Sequence, residues 1–159
     1  MRRINPEYME LVRAGTNVCP YFQLMSMKLI EFDIGRSLLE IDLQNKHLQP
    51  FGVVHGGVFS TIIDAAVFWA VFAGVDETVG LTSVDLKLNY LAPVSSGKLI
   101  ARGRSIKLGK TLGLGEAEVT DNDGKIVAHG ASTLIILPSR PFAQLKLLPP
   151  KFVDDESPD

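Results

Sequence analysis

One stretch near the middle of the chain limits the fold more than any other. From Val58 to Val75 (VFSTIIDAAVFWAVFAGV) nearly every residue is apolar, and the polar side chains are Ser60, Thr61 and Asp64. Roughly 20 apolar residues cross a bilayer, but a carboxylate near mid-span would cost about 3 kcal/mol, and no Lys or Arg flanks either end. The run is therefore read as a helix buried by protein. Its three polar residues stand at i, i+1 and i+4, hence on one side. A helix apolar nearly all round needs cover on every side, which a strongly curved antiparallel sheet can supply, with another subunit meeting whatever is left open.

The flanking sequence supplies such a sheet. Leu24 to Phe32 reads as a strand, and Ser37 to Leu43 alternates cleanly, with Leu39, Ile41 and Leu43 on one face. After the central helix, Leu81 to Leu91 sets Val84, Leu86, Leu88 and Tyr90 against Ser83, Asp85, Lys87 and Asn89. Further strands over Lys98 to Leu108, Thr111 to Thr120 and Lys125 to Leu137 are divided by Gly109-Lys110 and by the hairpin signal DNDG at Asp121 to Gly124. Strands this closely spaced pair antiparallel. Ahead of them, Pro6 to Ala14 has helical spacing, with Asn5 placed as a cap and Pro6 at the first helical position. Five of the nine prolines fall in the last 22 residues, and the end reads DDESPD. The expected organisation is a single domain over 1–137 with a short leading helix, then a flexible, Pro-rich acidic tail over 138–159.

At 159 residues the chain is large enough for a real core, and its 21% of charged residues with net charge -2 give no long-range pull toward nucleic acid or an anionic membrane. Cys19 is the only cysteine, which excludes an internal disulfide framework, and the first residues lack the apolar core of a signal peptide. A cytoplasmic location is expected. His47, His55, His129 and Cys19 show no metal-binding spacing, so no metal is expected. GRSIKLGKT at Gly103 to Thr111 has five residues rather than four between its glycines and precedes a strand, so it is not a phosphate loop; no G-x-S-x-G elbow is present.

The chemistry concentrates in VVHGGVFSTIIDAA, Val53 to Ala66. Asp64 lies about 10 Å down the axis from Gly57, too far to cap its own helix. Two readings of it are open: a structural Asp satisfied by a neighbouring donor, or a general base or nucleophile in a dry cleft. At the helix start, unpaired N–H groups and the positive dipole end favour an oxyanion, and Gly56 and Gly57 let one approach; a tight turn would suit the same residues. Because the acid and these donors stand two turns apart, a site using both combines Asp64 of one chain with the helix start of another.

HGGVFSTIIDAA, the following TSVDLKLNYLAPVSSGKLIARG and the later DNDGKIVAHG resemble the hotdog-fold acyl-CoA thioesterases of the phenylacetate-degradation type, over roughly Leu24 to Leu137. The resemblance rests on HGG, an acid nine residues after the histidine, and Pro93-x-x-x-Gly97. It implies an α+β hotdog fold, a curved antiparallel sheet wrapped around one long central helix, with homodimers joined sheet edge to sheet edge and pairing further into dimers of dimers. It also implies hydrolysis of acyl-CoA thioesters without a cofactor, coenzyme A being part of the substrate. By position, the catalytic acid falls on Asp64, the amide that polarises the thioester carbonyl on Gly57, a water-binding hydroxyl on Ser83, and a loop-shaping histidine on His55. Many relatives have asparagine where this chain has Gln49; its extra methylene displaces the amide, but a related branch uses glutamine near this place, and Gln49 is a candidate for orienting water or the carbonyl. Coenzyme A phosphates would be met by Arg102, Arg104, Lys107 and Lys110 beside Gly56, residues that equally suit a solvated edge strand. Phe59, Phe68, Trp69 and Phe72 are candidates for the acyl pocket. The alternatives are a non-catalytic acyl-CoA-binding or sensing protein and an enoyl-thioester hydratase or dehydratase.

Overall fold

The structure is a computed structural model and describes residues 2–138 and 147–154. Among the described residues, three α-helices and eight strands follow in the order β1 (Arg2–Ile4), α1 (Pro6–Asn17), α2 (Pro20–Leu24), β2 (Met27–Asp33), β3 (Arg36–Asp42), α3 (Gly56–Phe72), β4 (Gly80–Tyr90), β5 (Lys98–Leu108), β6 (Leu112–Thr120), β7 (Ile126–Leu137) and β8 (Phe152–Asp154), with a short 3-10 turn at Asn45–His47 between β3 and α3. Six of the strands form one antiparallel sheet in the order β2-β3-β5-β6-β7-β4, with α3 lying against it. This is the α+β hotdog arrangement.

The sheet accepts α3 because its inner face is cut low. A Cβ on Gly103 would stand 2.2 Å from the Ala66 carbonyl oxygen of α3, and one on Gly115 would stand 2.7 Å from Val67. Beside Gly103 the Ser37 hydroxyl donates to the same Ala66 oxygen at 2.6 Å. On the helix side, Ile62, Ile63, Ala66, Val67, Ala70 and Val71 are fully buried, which accounts for the apolar run. Among the described residues no helix is long and apolar enough to cross a membrane.

Asn5 caps α1 as expected, its side-chain oxygen accepting the Glu7 N–H at 3.1 Å, and the helix runs on to Asn17. The alternation read over β4 is broken by a bulge between Ser83 and Asp85. Val84 is therefore exposed, and Ser83 joins Leu86 on the face toward α3 instead of opposing it. Strand β4 also forms an open edge of the sheet.

Of the Pro-rich acidic tail, residues 147–154 are described, and they include a strand. Strand β8 pairs with β1 through Arg2↔Asp154, Arg3↔Val153 and Ile4↔Phe152. The fully buried Lys151 donates to the carbonyls of Phe72 at 2.5 Å and Val75 at 2.7 Å. Phe72 ends α3 and Val75 lies just beyond it, at the negative end of the helix dipole, where a cation is favoured. Proline content and acidity describe the tail's ends and miss this one lysine. The remainder of the expected tail, apart from Pro138, lies outside the described residues.

Candidate active site

Asp64 is half-buried on α3 and accepts a hydrogen bond from the Ser83 hydroxyl of β4 at 2.8 Å on Oδ1. The β4 bulge makes this contact possible, since strict alternation would turn Ser83 to the outer face. The carboxylate opens into a cavity of about 510 Å³ between α3 and the α1–α2 segment. Ser60, Thr61 and Asp64 form its polar lining on α3, and Phe68 and Trp69 its aromatic lining. Phe22 and Met27 line the other side, and the Tyr21 hydroxyl spans the two walls with a 2.8 Å hydrogen bond to Thr61 Oγ1. Of the aromatic residues put forward for an acyl pocket, Phe68 and Trp69 reach this cavity; Phe59 packs edge-on to Tyr90, and Phe72 stacks behind Phe68.

At the other end of the site, His55 is the N-cap of α3, with Nδ1 accepting the Gly57 N–H at 2.8 Å. That bond requires Nδ1 to be unprotonated. The amide expected to polarise a carbonyl, Gly57, is thus already engaged within the chain. One residue earlier, the Gly56 N–H has no hydrogen-bond partner among the described residues, and it begins the helix where the dipole is positive. A Cβ on Gly56 would meet the Tyr90 hydroxyl at 2.9 Å, so glycine also keeps that end open to Tyr90.

Gln49 sits on the loop leading into α3. Its side-chain oxygen accepts the Phe51 N–H and its backbone closes a turn through Gly52, whose φ of 79° is in the left-handed region. Its amide is therefore turned onto its own loop rather than toward Asp64 of the same chain. His47 is a residue that motif reading missed. It is 2% exposed, with Nδ1 accepting the Gln44 N–H and Nε2 donating to the Met25 carbonyl, each at 2.9 Å. Its own carbonyl accepts the His55 N–H at 2.9 Å, so it fastens the end of α2 to the start of α3. No spacing in the sequence announces this role, which depends on two loops meeting.

The basic residues lie elsewhere. Ala101 and Gly103 face α3, so Arg102 and Arg104 point from the opposite side of the sheet. Arg104 is ion-paired with Glu116, whose other oxygen meets His129 Nε2 at 3.2 Å. These donors hold the Glu116 carboxyl below its usual range, the Arg104 hydrogen bond contributing most. Lys107 and Lys110, exposed near the β5–β6 turn, have no charged partner among the described residues. One chain therefore brings Asp64 and Ser83 together, and Gly56, Gly57 and His55 together, but joins neither pair of elements to the four cations. No cluster of three metal-ligating side chains occurs among the described residues.

The family profile of the Thioesterase superfamily matches residues 51–128, which span the helix start, Asp64 and Ser83. Protein F42H10.6 of Caenorhabditis elegans is 32% identical over 114 residues, covering 70% of this chain and 67% of that one. The chain belongs to the Thioesterase superfamily. Within this superfamily, acyl-coenzyme A thioesterase 13 of Homo sapiens is 25% identical over 127 residues, 78% of this chain and 90% of the human one. The fold is shared with the PaaI protein of the E. coli phenylacetic acid degradation operon, with a TM-score of 0.74 at 17% identity over 82% of this chain and 93% of that one. The thioesterase resemblance carried by HGG and Asp64 is thereby borne out at the level of family and fold.

Proposed function

We propose that this superfamily member hydrolyses acyl-CoA thioesters as a homodimer in which each active site takes Asp64 and Ser83 from one chain and the α3 start from the other. The observation that carries the reading is a carboxylate open to an apolar cavity and held by a single hydroxyl, on a chain whose family hydrolyses thioesters. Gly56 is eight residues before Asp64, about 12 Å along one helix, so both cannot address one carbonyl within a chain. Pairing through the open β4 edge would bring a second helix start toward Ser83, which lies on that strand, and would cover exposed Val84, Tyr90 and Leu91.

In the proposed reaction the thioester oxygen lodges at the Gly56 N–H and the positive end of α3, which stabilise the charge that develops there. Asp64 then attacks the carbonyl carbon, expelling the coenzyme A thiolate and leaving a mixed anhydride for water to open; or it takes a proton from a water that attacks instead. Ser83 orients the carboxylate or that water. Gly56 replaces Gly57 as the donor because the Gly57 amide is held by His55. Lys107 and Lys110 are the unpaired cations proposed to meet the phosphates of coenzyme A.

Asp64→Asn keeps the shape of the side chain and removes its basicity. Release of free thiol from acyl-CoA substrates should fall by about 10²–10⁴-fold. Thiol release at the wild-type rate would refute the assignment.

A further inference from the structure

The cavity beside Asp64 has a direction. Along α3 its lining passes from hydroxyls and the carboxylate at Ser60, Thr61 and Asp64 to aromatic rings at Phe68 and Trp69. A thioester carbonyl belongs at the polar end and an acyl tail at the aromatic end. The aromatic end is blind: Trp69 packs on Phe32 at 5.4 Å, on Phe68 at 5.4 Å and on Phe72 at 5.2 Å, and Phe68 stacks on Phe72 at 5.8 Å. Phe32, Trp69 and Phe72 are all nearly inaccessible, so this plug has no room to retreat. Tyr21 and Phe22 close the side of the slot, and the Tyr21–Thr61 hydrogen bond ties that wall to α3.

The reach is set by helix geometry. Trp69 is five residues past Asp64, or about 7.5 Å at 1.5 Å per residue. Carbon–carbon bonds of about 1.5 Å in an extended zigzag advance about 1.25 Å each, so the slot beyond the carboxylate takes about six carbons. The thioester and the start of the pantetheine arm would sit at the polar end.

Building on the thioesterase reading, we infer that the substrates carry a compact acyl group, a single aryl ring or an aliphatic chain of about six carbons, lying along α3 with its tail against Phe68 and Trp69, which together set the length limit. Phe68 is half-buried, unlike the ring residues behind it, and is the plug residue that can be trimmed with least damage to the core.

The experiment is a ladder of acyl-CoA substrates from acetyl to palmitoyl, with benzoyl and phenylacetyl, read as kcat/KM by thiol release. The wild type should peak at hexanoyl and the aryl substrates, with palmitoyl at least tenfold lower. Phe68→Ala should move the aliphatic optimum to longer chains, and Phe68→Leu should move it less. A flat ladder, a palmitoyl optimum, or an optimum unmoved in both Phe68 variants would overturn the inference while leaving thioester hydrolysis intact. If no member of the panel is cleaved, the underlying reading fails and this inference falls with it.

Discussion

At the scale of single residues, the helix start separates two roles that the sequence places side by side. His55 Nδ1 accepts the Gly57 N–H, which makes the histidine a helix cap and leaves Gly56 as the unpaired amide. Losing an N-cap costs about 1 kcal/mol, and asparagine caps as well as any residue. His55→Ala should therefore lower the unfolding free energy by about that amount in urea titration, and His55→Asn should recover most of it together with thioesterase activity. If the asparagine variant is stable but inactive, His55 is moving protons rather than capping. Asp64 was legible in the sequence because a carboxylate in an apolar run is conspicuous. Its partner Ser83 was legible only through family resemblance, since alternation alone turned it away from the helix until the β4 bulge turned it back.

At the scale of elements, the strand periods and the apolar run gave the order of the sheet strands and of the helix that fills it, with ends shifted by a few residues. Patterning could not supply the depth at which helix and sheet meet. GRSIKLGKT reads as a near miss to a phosphate loop, whereas its Gly103, together with Gly115, is where α3 descends onto β5 and β6. A methyl group at Gly103 would overlap the Ala66 carbonyl, which is backbone and cannot swing aside. Overpacking of this kind costs about 1–3 kcal/mol and more where nothing yields. Gly103→Ala should lower the unfolding free energy and its midpoint accordingly, whereas Lys107→Ala, on the exposed outer end of β5, should change the free energy by less than about 0.5 kcal/mol. Equal midpoints for the two variants would mean that α3 does not sit so low. Segment α2 and the β1–β8 ribbon were not legible at all, because short elements are held by distant partners such as His47 and Lys151 rather than by their own periodicity.

At the scale of the whole molecule, residues 2–5 and 150–154 are fastened together at the end of α3 around one buried lysine. Asn5 donates to the Pro150 carbonyl at 3.0 Å, Arg2 lies 3.5 Å over the Phe152 ring, and the Lys151 N–H donates to Glu77 at 2.7 Å. Burial pushes the Lys151 amine down to about 7, with the nearby Arg2 charge adding to the shift and Asp76 and Glu77 opposing it. The unfolded chain keeps this lysine protonated up to its ordinary value of 10.5, so between about 7 and 10.5 unfolding takes up a proton at Lys151. Raising the pH in that window disfavours proton uptake and so favours the folded form. Below about 7 both forms are protonated and this contribution to the pH dependence disappears. The measurement is the difference in unfolding free energy between wild type and Lys151→Met, followed from pH 6 to pH 10. Methionine fills much of the same volume without titrating, so other ionisable groups cancel in the difference. The wild type should gain on the variant steadily above pH 7 and run parallel to it below. A difference that stays flat across the whole range would mean that the tail is not clamped to α3 by a desolvated amine, and the strap would then rest on the β1–β8 pairing alone.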